Sequence, residues 1–161
     1  MHGFVVHRKV DEATIEKYTN KLPAELISLW KEYGFGAFLN GYLKLIDPDE
    51  YAKLLKASYF AGEVSIPFLA TAFGEVITWE RDAYVGIVQY PRCNFDIILK
   101  NFRFFFQVLT DPGVQDRCFY LDAYEKAVAR YGELSYDKCF GYVPLLPLGG
   151  KDSVDNLKKL S

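Results

Sequence analysis

Histidine is nearly absent from this sequence: His2 and His7 are the only two, both at an N-terminus expected to be mobile. Cysteine is scarce too. Cys93, Cys118 and Cys139 are odd in number and show no CxxC spacing, which argues against a disulfide framework and fits reduced thiols in a cytoplasm. A cysteine nucleophile needs a base beside it, typically histidine, so buried or incidental thiols are the better reading. No His, Cys and carboxylate groups converge at metal-ligand spacing. Asp47-Pro48-Asp49-Glu50 is acidic but lacks the further oxygen ligands of a calcium loop. Neither Gly34-Phe35-Gly36 nor Gly149-Gly150 carries the Lys-Ser/Thr that follows a phosphate loop. No enzyme, metal or cofactor is therefore expected. Lys plus Arg number 19 against 21 Asp plus Glu, a net charge of −2, without the basic excess of a general nucleic-acid binder. No apolar run reaches membrane-span length, and Met1 to Arg8 is too short in apolar residues for a secretory signal. A cytoplasmic protein with no membrane and no direct nucleic-acid partner is expected.

What is present is an aromatic core. The 161 residues suit one domain, half of them are hydrophobic, and 13 are Phe and 12 Tyr. Asp11 caps a first helix bearing Ile15 and Tyr18, and Pro23 opens a second whose stripe is Leu26, Leu29, Trp30 and Tyr33, stopped at Gly34. Gly36 and Gly41 make a tight connection into a strand from Tyr42 to Ile46. Asp47-Pro48 then starts a helix packing through Tyr51, Leu54 and Leu55.

Residues 68–99 read as a meander of strands: 68–73, a two-residue type II′ turn at Gly74-Glu75, 76–80, 84–90 and 95–99. Alternation of Ile77 and Trp79 with Val76, Thr78 and Glu80 predicts one buried and one partly wet face. Phe102, Phe105, Phe106 and Leu109 keep helical spacing and belong to the core, whereas Phe104 is either a wider core contact or a partner surface. Asp122 and Glu125 suggest a capping box for a helix with Tyr124, Ala127, Val128 and Tyr131. An apolar strand from Cys139 runs through Pro144 and Pro147 to Gly149-Gly150, and a short capped helix is expected from Ser153. The fold class is α+β: a single domain over 1–161, with helices on a mainly antiparallel sheet formed by the meander and added strands.

Three stretches carry a resemblance. They are Leu29 to Tyr42 running into Ile46 to Tyr51, Ile66 to Trp79, and Cys139 to Leu160, the last being the most specific. Together they resemble the GAD-like family of bacterial immunity proteins, which neutralise toxins delivered by type VI secretion and related polymorphic systems. The family often has Gly-Asp where this chain has Gly74-Glu75, and its pattern usually continues past Leu160. The resemblance implies non-catalytic, tight binding to a cognate toxin, often a nuclease, inside the producing cell. A monomer or weak homodimer would serve.

The expected toxin contacts are Glu75, Glu80, Asp82 and Glu63 as an acidic patch near the hairpin ends, with Tyr84 and Tyr59 as aromatic anchors. The bland alternative for the acids is a solvated rim. Against a basic nuclease groove, such a patch would mimic a phosphate backbone. The alternative function is a small-molecule-sensing regulatory domain whose Phe-rich second half encloses a ring-lined pocket.

Overall fold

A computed structural model describes residues 3–58 and 64–160. Seven antiparallel strands follow one another across a single sheet in chain order: β1 (Val5–Arg8), β2 (Phe35–Phe38), β3 (Leu43–Leu45), β4 (Ser65–Thr71), β5 (Val76–Glu80), β6 (Tyr84–Gln89) and β7 (Asn94–Leu99). Neighbours in sequence are neighbours in space, so short connections build the whole meander. Pro67 lies in a central strand, where its missing N–H would break the ladder. There the register against β5 slips, with Pro67 facing Thr78 and Leu69 facing Ile77, which accommodates it.

The helices are α1 (Glu12–Tyr18), α2 (Ala24–Tyr33), α3 (Pro48–Ser58), α4 (Phe105–Val108), α5 (Pro112–Cys118) and α6 (Leu121–Tyr131). A two-stranded ribbon of β8 (Cys139–Tyr142) and β9 (Leu157–Leu160) completes the α+β fold. One core cluster joins Trp30 of α2, Tyr42, Phe68 and Ile77 of the sheet region, Phe105 of α4, Ala127 of α6 and Phe140 of β8.

Several expectations are corrected. His7 is not on a loose segment: β1 pairs with β2, Val5 opposite Ala37, while His2 lies outside the described residues, and Gly36 belongs to a strand rather than a connection. The stripe of α2 buries Leu26, Ile27 and Trp30, with Leu29 only half-buried. All five residues of β5 are buried. The parity of Ile77 and Trp79 is as read, but the opposite face is dry: Leu55 of α3 packs there with Val88, Tyr90 and Phe95.

The β4–β5 loop has three residues, not two. Thr71 N–H donates to Glu75 O (2.8 Å) and Gly74 N–H to Thr71 O (3.0 Å), with Gly74 at φ +74 in the left-handed position that closes such loops. Helix α6 starts at Leu121 without a side-chain cap, so Asp122 lies in its first turn and no capping box forms. Ser153 does cap, accepting from Asp155 N–H (3.3 Å), but the turn it caps spans only Val154–Asn156. The chain then becomes β9, with Leu157 paired to Tyr142. Eight residues are marginal for a helix, whereas β8 offers a ladder.

Candidate partner-binding surface

The two ends of the sheet carry different chemistry. At one end, β5 turns into β6 through Arg81 and Asp82, at φ 52 and φ 55, closed by Ala83 N–H to Glu80 O (2.9 Å). This is the type I′ geometry that normally selects Asn-Gly. Trp79 Nε1–H donates to the Asp82 carboxylate (3.2 Å), and the Trp79 ring meets Phe102 edge-on at 6.0 Å. β7 ends beside this turn, Leu99 opposite Val85, and the chain reverses through Lys100 to Phe104.

Phe102 and Phe105 are both buried, their rings 5.1 Å apart. Bringing both inward requires a reversal between them. Phe105 N–H donates to Phe102 O (3.0 Å), Arg103 N–H to the Asn101 side chain (2.9 Å), and Phe104 takes φ 61, ψ 17. A left-handed residue with a Cβ costs about 1–2 kcal/mol. Phe104 is 58% exposed, with the Arg103 guanidinium 4.9 Å from the centre of its ring. Phe104 is therefore surface, not core.

Among the expected contacts, Asp82 is exposed at this end and Tyr84 is half-buried beside it. Tyr59 and Glu63 lie outside the described residues. Glu80 is 0% exposed, held in the middle of the sheet between Ser65 on β4 and Tyr84 on β6. Glu75 is 1% exposed and lies at the opposite end of β5. The structure thus removes both glutamates from the surface and does not unite Glu75 with Asp82. Among the described residues, the exposed charges here are Arg81, Lys100 and Arg103 against Asp82.

At the other end, Glu75 folds back under its own loop. Thr71 Oγ1–H donates to Glu75 Oε1 (3.2 Å), while Thr71 Oγ1 accepts from the N–H groups of Phe73 (3.3 Å) and Glu75 (3.2 Å). Oε2 has no hydrogen-bond partner among the described residues. Burial pushes this carboxyl up from 4.5 to about 7, against the pull of Gln89, Thr71 and Arg92.

The same loop holds the C-terminal ribbon. Ala72 O accepts from Phe140 N–H (2.6 Å), and Phe73 stacks on Tyr142 at 6.5 Å. Arg92 pairs with Asp152 (2.8 Å), lies 4.0 Å over the Tyr120 ring, and shares Asp152 with the Tyr142 hydroxyl (2.8 Å). The Arg92 hydrogen bond holds the Asp152 carboxyl below its ordinary value. An open cleft of about 790 Å³ lies between this arm and α5–α6, lined by Phe119, Tyr120 and Tyr142 together with Asp116, Asp122 and Asp152. Beyond it the arm exposes Val143, Leu145 (53%) and Leu148 (75%).

The buried thiols are not activated. Burial pushes the Cys118 and Cys139 thiols up, the reverse of an activated nucleophile. His7 stacks on Tyr136 at 4.0 Å. Among the described residues, no group of three or more His, Cys, Asp or Glu is placed to hold a metal, and no helix is long and apolar enough to cross a membrane. Lys44, unremarked in the sequence, is buried in β3 and donates to the carbonyls of Ser135 (3.5 Å) and Lys138, tying the α6–β8 connection to the sheet. An alternating Leu43-Lys44-Leu45 suggests a solvated lysine, and only packing on both faces reveals otherwise.

Comparison with known proteins agrees with this layout. Residues 99–161 match the family described as type VI secretion immunity protein Tdi1, C-terminal, and residues 2–89 match the GAD-like domain. No curated protein matches the chain. The fold is similar to the crystal structure of Atu4351 from Agrobacterium tumefaciens, with a TM-score of 0.76 at 16% identity over 98% of this chain and 80% of that one. With more than half of its residues matching the GAD-like domain and most of the rest matching an immunity-protein C-terminal region, this chain belongs to the GAD-like family of type VI secretion immunity proteins.

Proposed function

We propose that this chain protects the cell that makes it by binding one cognate toxin and blocking it without catalysis, in the cytoplasm. The observation that carries the reading is the set of large apolar side chains left in water on braced backbone. Val143, Leu145 and Leu148 sit on an arm fastened by Arg92–Asp152, and Phe104 on a hydrogen-bonded reversal. Exposed apolar groups of this kind mark protein-binding surfaces. Family membership supports a toxin as the protein bound. Asp82 and Tyr84 remain candidate contacts at the Phe104 end.

The acidic mimic of a phosphate backbone, the surface feature that would suit a nuclease toxin, loses its support with Glu75 and Glu80 buried. The ligand-sensing alternative has less to stand on. Phe102 and Phe105 pack on Phe68 at 5.9 and 5.6 Å and fill the core, and the cleft lined by Phe119, Tyr120 and Tyr142 is open rather than enclosed. The test is co-expression with the product of the adjacent upstream gene, purified through a tag on one partner. A stable complex with restored growth is the expected result. No complex and no rescue would sink the proposal.

A further inference from the structure

We infer that Phe104 is the anchor by which this chain grips its toxin, seated in an apolar pocket of the toxin with a carboxylate at the rim. The inference rests on the toxin-binding reading above and names its contact. Phe104 combines two costs, a left-handed backbone at φ 61 and an aromatic residue 58% exposed to water. Asn or Gly would make the same reversal with less strain. The fold does not need the ring: Phe102 O, Phe105 N–H and the Asn101 side chain form the turn, and Phe102 and Phe105 fill the core on either side. A strained, exposed aromatic with no internal task points outward to a partner.

Its neighbours describe that partner. The Arg103 guanidinium covers one side of the ring at 4.9 Å, and Arg81 projects from the adjacent turn in the same left-handed backbone. Lys100 is exposed on the same reversal, while the Asp82 carboxylate is engaged by Trp79. A ring with the Arg103 guanidinium over it, on a reversal that also exposes Lys100, fits an apolar pocket edged by acid, and aromatic–arginine pairs are the chemistry of binding hot spots. The exposed aliphatics of the C-terminal arm are different: none of them has positive φ, so they carry no comparable strain.

The experiment titrates the active-site-inactivated product of the adjacent upstream gene with wild type, Phe104→Asn, Arg103→Glu and Leu148→Ser by calorimetry, with a melting curve for each. Phe104→Asn is expected to weaken binding at least about 30-fold while raising Tm by about 2 °C. Arg103→Glu is expected to weaken it about tenfold, less at about 0.5 M salt. Phe104→Asn binding within about threefold of wild type overturns the inference. So does a Phe104→Asn that loses binding only together with Tm, or a Leu148→Ser that costs more affinity than Phe104→Asn. A wild type that fails to bind defeats the toxin reading itself, so the two failures are distinguishable.

Discussion

Glu75 is a carboxyl that folding makes harder to ionise. Desolvation under the β4–β5 loop lifts it from 4.5 to about 7, a change worth on the order of 3 kcal/mol between the two charge states. Below pH 4.5 it is protonated folded and unfolded and carries no penalty. As pH rises from 4.5 to about 7 the unfolded chain releases the proton first, so stability falls; above 7 the loss is complete and constant. Glu75→Gln therefore flattens the decline of Tm between pH 5 and 7.5 and leaves the variant the more stable protein at the upper end. Parallel curves for the two proteins would mean that another group titrates. Nothing local announces this behaviour. A Gly-Glu pair at a hairpin reads as a solvated turn, whereas the buried carboxyl lies within electrostatic reach of Gln89, Tyr42 and Tyr120, which come from other parts of the chain.

At the scale of elements, the C-terminal arm shows how much geometry two glycines and one ion pair can hold. Gly150 N–H donates to Leu145 O (3.0 Å), and a Cβ on Gly150 would lie 1.9 Å from Pro144 O, against backbone that cannot step aside. Gly150→Ala is expected to cost about 1–3 kcal/mol in urea unfolding and to speed hydrogen exchange from Val143 to Asn156. Unchanged exchange would mean that the arm is held without the close approach. The Gly-Gly turn and the Ser153 cap were both legible in the sequence. The strand that follows was not, because Leu157–Leu160 gains its ladder from Cys139–Tyr142, and pairing between segments leaves no mark in either alone. Helices fared better where the apolar stripe was long: α2 and α6 bury Trp30, Tyr124 and Ala127 as their spacing predicts.

At the scale of the molecule, the stretch matching the GAD-like domain and the stretch matching the immunity-protein C-terminal region share one core. Phe73, from the first, touches Tyr120, Phe140 and Tyr142 from the second, and the Tyr42 hydroxyl accepts from Tyr120 N–H (3.0 Å). We propose that residues 1–161 unfold as one cooperative unit. Phe73→Ala should lower stability by about 3–5 kcal/mol and keep a single calorimetric transition; two separated transitions would divide the chain into two folding units.

The sequence by itself determined the α+β class, the meander of strands, the aromatic core and the family, because periodicity, turn residues and short motifs are local properties. Only the tertiary structure decided which acids reach solvent. It buried Glu75 and Glu80, left Asp82 outside, and turned an expected acidic patch into a Phe104 knob among Arg81, Lys100 and Arg103. Burial and backbone strain depend on what packs from elsewhere in the chain, and that is settled only when the sheet, the helices and the arm close on one another.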